Sequence, residues 1–134
     1  MSLFFQNLSY FIINKIMNKS DNAILALVPT LIKKMRTYRG LSYRVVAAAY
    51  SKKGNLLGIE MNGWRELATI RKGTGKHAEA ALIKKFGKCI NTIYLLRVGN
   101  SGDILPIHPC NSCFNMANKV GIKIIPIHQM LHLC

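Results

Sequence analysis

Apolar positions recur along this chain at two different periods. Ile24, Leu25, Leu27, Val28, Leu31, Ile32 and Met35 follow the spacing of one helical face, with Ser20 and Asp21 offering an N-cap, Pro29 a kink and Gly40 a stop. Two β-rich runs follow, Ser42 to Tyr50 (SYRVVAAAY) and Leu56 to Glu60 (LLGIE). The linker Ser51-Lys52-Lys53-Gly54 between them predicts a hairpin. Residues 61–76 carry Gly63, Gly73 and Gly75, with Trp64 among charges, and read as a long loop. His77 to Phe86 (HAEAALIKKF), closed by Gly87, predicts a short helix. Cys89 to Val98 (CINTIYLLRV) predicts a buried strand, in which Cys89 is expected to be a core residue. After a turn over 99–103, Pro109 opens a helix that runs to Lys119, Gly121 stops it, and Ile122 to Ile127 (IKIIPI) predicts a last strand.

Strands separated by single helices imply crossovers and at least one parallel pair, hence an α/β layered sheet. At 134 residues the chain suits one core. The expected division is an apolar N-terminal segment, 1–19, and a single domain, 20–134. The segment, with Phe4, Phe5, Leu8, Phe11, Ile12 and Ile16 at roughly helical spacing, lacks the basic flank and cleavage site of a secretory signal. A helix packed on the domain, a leader upstream of Met17, and a membrane-surface anchor are the readings it leaves open. No apolar run is long enough for a transmembrane helix. The expected location is intracellular, cytoplasm or nucleus.

Charge and cysteine usage then narrow the function. Nineteen Lys and Arg against five acidic residues give a formal charge of +14. That imbalance favours a polyanionic partner, nucleic acid or nucleotide, because each basic group near a phosphate releases condensed counterions. Of four cysteines, Cys110 and Cys113 stand close in sequence, as metal-binding or redox pairs do in a reducing compartment; Cys134 ends the chain.

In HPCNSC, Cys110 and Cys113 fall in the first turn of a helix, where unpaired N–H groups and the helix dipole favour thiolates. His77-Ala78-Glu79 opens another helix. One imidazole and two thiolates would leave zinc's fourth position open to water, as catalysis needs. Zinc lowers that water's pKa toward neutrality, and Glu79 is placed to move its protons. CxxC alone occurs in many zinc ribbons and redox motifs, so the specificity lies in the combination.

H-x-E followed by P-C-x-x-C resembles the signature of the cytidine and deoxycytidylate deaminase superfamily, which includes tRNA adenosine deaminases and nucleic-acid-editing cytidine deaminases. The resemblance covers about Ser42 to Ile127 and includes the element order. It implies a cytidine deaminase-like three-layer α/β/α sandwich with a mixed sheet of four to five strands, and zinc between the N-termini of two adjacent helices. By resemblance His77, Cys110 and Cys113 are the zinc ligands and Glu79 the catalytic proton shuttle. The Ala78 N–H would meet the base carbonyl, and Asn62 would bind base or sugar. His108 stands where relatives commonly carry Ser, Thr or Glu, so substrate preference does not transfer; a substrate contact, a solvent-facing loop residue and a fourth zinc ligand are its readings. Trp64, Tyr43 and Tyr50 are candidates to stack on bases or to pack in the core, and Arg65, Arg71, Lys72 and Lys76 to meet phosphate.

The function implied is hydrolytic deamination of cytosine in a nucleoside, nucleotide or single-stranded nucleic acid. Adenosine deamination in RNA and a non-catalytic, zinc-stapled nucleic-acid-binding module are the alternatives. A homo-oligomer built through the apolar N-terminal segment is a further expectation.

Overall fold

The computed structural model describes residues 17–36, 44–61 and 78–131. The N-terminal segment as far as residue 16, Gly40, Tyr43, residues 62–77 and Cys134 lie outside them. In chain order the elements are α1 (Lys19–Arg36), β1 (Arg44–Tyr50), β2 (Leu56–Met61), α2 (Ala78–Phe86), a 3-10 turn (Gly87–Cys89), β3 (Thr92–Val98), β4 (Ile104–Leu105), α3 (Asn111–Lys119), β5 (Lys123–Pro126) and α4 (Ile127–Met130).

Among the described residues the sheet is mixed and has five strands. β1 lies between β2 and β3, antiparallel to both. Because β1 takes one whole edge of β3, from Arg44↔Val98 to Tyr50↔Thr92, the other edge is shared. β4 pairs antiparallel with its upper end at Arg97 and Val98, and β5 pairs parallel with Thr92 to Leu95. The expected parallel pair is therefore β3–β5.

β1 is buried along its full length, so each face needs cover. Val46, Ala48 and Tyr50 turn to one side and join Ile24, Val28, Leu31 and Met35 of α1, with Tyr94, Leu96 and Ile127. Val45, Ala47 and Ala49 turn to the other and meet Leu82 and Ile83 of α2, Ala117 of α3, and Ile93 and Leu95. Helices thus sandwich the sheet in three layers, as expected. The alternation is the period of two that a strand imposes.

Three local expectations need correction, and the open reading of Tyr50 is decided. The α1 cap is Asn18: its Oδ1 accepts the Asp21 N–H at 2.8 Å, and Asp21 Oδ2 accepts the Asn18 N–H at 3.3 Å, a reciprocal capping box. Cys89 is exposed, because the 3-10 turn delays β3 by three residues. Tyr50 is 1 % exposed in the α1 layer, its ring edge-on to Tyr94 with centroids 5.5 Å apart, and is a core residue. The last strand ends at Pro126, and Ile127 begins a short helix.

Candidate functional site

The site arises where two crossovers return. α2 leads through the 3-10 turn to the lower end of β3, and α3 leads to the lower end of β5, so both helices begin at the upper end of the sheet. They also pack against each other. Two helix N-termini, each with unpaired amides, therefore face a common region.

Each helix places a polar side chain on its inward face there. In α2 the buried positions are Ala78, Glu79, Leu82 and Ile83. Glu79 thus stands one turn above Ile83 on the stripe that meets the sheet, and is 5 % exposed. In α3 the buried positions are Cys113 and Ala117, again one turn apart. Cys110 is the N-cap, in extended conformation, with its Sγ accepting the Cys113 N–H at 3.4 Å.

The electrostatics link these groups. Burial pushes the Cys113 thiol up to about 12, helped by its hydrogen bond with Cys110 and the negative charge of Glu79, while a hydrogen bond with the Ala80 backbone opposes the rise. Two thiols and a carboxylate held this close resist acquiring negative charge together. A divalent cation relieves that conflict by displacing the thiol protons, so the donor set suits a thiophilic metal such as zinc. Among the described residues no three His, Cys, Asp or Glu are grouped to hold a metal. The third expected ligand, His77, lies outside them, directly before Ala78.

Of the expected site residues, the structure brings together Ala78, Glu79, Cys110 and Cys113. Asn62, Trp64 and the basic side chains of 65–76 lie outside the described residues. His108 is exposed, two residues before Cys110, and its ring meets that of His128 edge-on with centroids 5.7 Å apart.

His128 went unnoticed in the sequence. It is buried in α4, its Nδ1 accepts the Ile107 N–H at 3.2 Å, and burial, with His108 beside it, holds its pKa below the usual 6.5. An accepting Nδ1 fixes the Nε2–H tautomer. The hint was a histidine interrupting the apolar run Ile127, Met130, Leu131.

No protein-family model matches the chain, and no curated protein does. Solved structures do. Cytidine deaminase from Mycobacterium leprae is similar at 19 % identity over 72 % of this chain and 84 % of that one, with a TM-score of 0.41. Cytidine deaminase from Mycobacterium tuberculosis is similar at 18 % identity over 72 % and 81 %, with a TM-score of 0.43.

Proposed function

We propose that this protein is a zinc-dependent hydrolytic deaminase acting on cytosine in a nucleoside, a nucleotide or a single-stranded nucleic acid. The observation that carries the reading is the buried Glu79 at the start of α2, within electrostatic reach of the paired cysteines that start α3. A zinc staple has no use for such a carboxylate, and desolvating a carboxylate is costly without a role or a partner.

In this reading His77, Cys110 and Cys113 hold the metal, which when bound supplies Lewis-acid activation of water. Glu79 takes a proton from the attacking water and delivers it to the ring nitrogen. It then passes the second proton to the departing amine. A C–O bond forms and the C–N bond breaks at the amine-bearing carbon, so cytosine and water give uracil and ammonia. The Ala78 N–H is assigned to the base carbonyl, and Asn62, Trp64 and His108 to the walls of the substrate site. A base within a polymer would have to be unstacked to enter, which favours single strands and loops over duplex.

The test is ammonia release by the purified, zinc-loaded chain on cytidine, deoxycytidylate, adenosine, single-stranded DNA, RNA and tRNA, with Glu79→Ala beside it. The expected result is turnover on a cytosine substrate that vanishes in the variant while zinc content stays. Turnover on adenine alone would reassign the substrate. Silence across the panel, with nucleic-acid binding intact in both proteins, would leave the zinc-stapled binding module.

A further inference from the structure

The end of the sheet opposite Glu79 and the cysteines collects lysines from four separate segments. Lys52 and Lys53 sit in the β1–β2 turn, whose neighbour Tyr50 pairs with Thr92. Lys88 lies in the 3-10 turn just before β3, and Lys119 ends α3. Lys123 pairs with Thr92 at the start of β5. Lys19 completes the group: it packs along Gly54, and its Nζ donates to Asn55 Oδ1 at 3.4 Å. All six are exposed.

Among the described residues, three carboxylates lie away from this end and one, Asp21, lies at it beside Lys19. Glu60 lies at mid-sheet opposite Ala47, Glu79 begins α2, and Asp103 closes the β3–β4 turn at the upper end. Asp21, in the first turn of α1, accepts from Tyr94 and from the Asn18 amide. The lower end is nonetheless a lysine pole.

We infer that this pole is a docking surface for the phosphodiester backbone of a nucleic acid, separate from the candidate site. Its cations are lysines, point charges on flexible stems that meet phosphates without demanding a fixed geometry. The exposed aromatic among the described residues, Phe114, lies in the first turn of α3 at the other end, so the pole is read as binding backbone independently of sequence. The pole crosses β2, β1, β3 and β5, three inter-strand spacings or about 14 Å, wide enough for several consecutive phosphates. β3 separates it from the upper end by roughly 20 Å, so a flexible strand anchored at the pole reaches the candidate site. A bilayer bound there would leave that site facing away from it. The inference concerns binding alone and stands or falls apart from the deaminase reading.

The experiment measures binding of a fluorescent 20-nucleotide single-stranded RNA to the full chain by anisotropy across a salt series. Two triple variants are compared with the parent: Lys53→Gln/Lys88→Gln/Lys123→Gln at the pole, and Lys33→Gln/Lys34→Gln/Arg36→Gln at the far end of α1. Circular dichroism confirms that each is folded, with single pole substitutions replacing the triple if it is not. The pole variant is expected to bind roughly tenfold more weakly at low salt, with the slope of log K against log salt reduced by about 2. Equal weakening in both triples would show net charge at work and overturn the pole. Unchanged RNA binding, with lost binding to phosphatidylserine vesicles or polyglutamate, would overturn it in favour of a membrane or an acidic protein.

Discussion

The two faces of the sheet handle buried polarity in opposite ways. Beneath α1, the Tyr94 hydroxyl donates to Asp21 Oδ1 at 2.6 Å and lies 2.7 Å from Ser20 Oγ, which itself bonds to Asn18 Oδ1. The core polarity of that layer is thereby tied into the helix cap. Beneath α2 and α3 the polar groups are Glu79 and two thiols, and burial, with their closeness adding to it, raises the Cys113 pKa. The first face spends its polar groups on holding a helix in place. The second keeps charge-averse neighbours together, an arrangement that stability alone would not select. β1 offers Val46, Ala48 and Tyr50 to the first face and Val45, Ala47 and Ala49 to the second, so the faces differ in the one large side chain, Tyr50.

Glu79→Gln is the sharpest way to separate the faces. It should lower kcat by about 10²- to 10⁴-fold, the share a positioned proton carrier contributes, while the melting temperature holds or rises. A stability loss with activity intact would erase the distinction. Ile24→Ala, on the opposite face and fully buried, should cost about 2–5 kcal/mol in urea unfolding with kcat/KM unchanged per folded molecule. Tyr94→Phe should cost about 1–2 kcal/mol by removing the bond to Asp21, again without a kinetic effect.

The smallest effect concerns the join between α4 and the loop before Cys110. His128 is held below its ordinary value, so on acidification the unfolded chain binds the proton first. Its stabilisation is complete above about pH 6.5 and lost as pH falls through the folded value. Protonated Nδ1 can no longer accept from Ile107, so the exchange protection of that amide should fall with it. His128→Asn, which restores an acceptor near the Nδ1 position, should remove the pH dependence and keep the protection.

The element order was legible because each long segment has a clear period. α1 repeats apolar residues on one face, and β1 and β3 are dense in residues that suit a pleated, buried surface. The motif helices were marked by Gly87 and Pro109 at their boundaries. What escaped was set by geometry that periodicity does not carry. Asn18 outcompeted Ser20 as the cap because Asp21 stands at the position that reciprocates. Cys89 was expected inside on residue type, but Gly87 at φ +50° turns the chain into the 3-10 bend that exposes it. β4 is two residues long and has no period to read. Ile127 looked like the end of a strand because the residues of β5 and α4 form one apolar run. At the candidate site, spacing and chemistry single out Glu79, Cys110 and Cys113 in the sequence, whereas His128 is joined to it through tertiary contact with Ile107 and His108.

The pairing of β1 with β3 also sets an order of assembly. Arg44 meets Val98 and Tyr50 meets Thr92, so the central ladder closes a loop on the order of fifty residues, an entropic cost met before its contacts repay it. Glu79 lies inside that loop and the cysteine pair beyond it. Their two helices gain a common surface once the ladder has formed. Assembly of the candidate site then becomes a late folding event, and a nascent chain would have to emerge past Cys113 before that site could close.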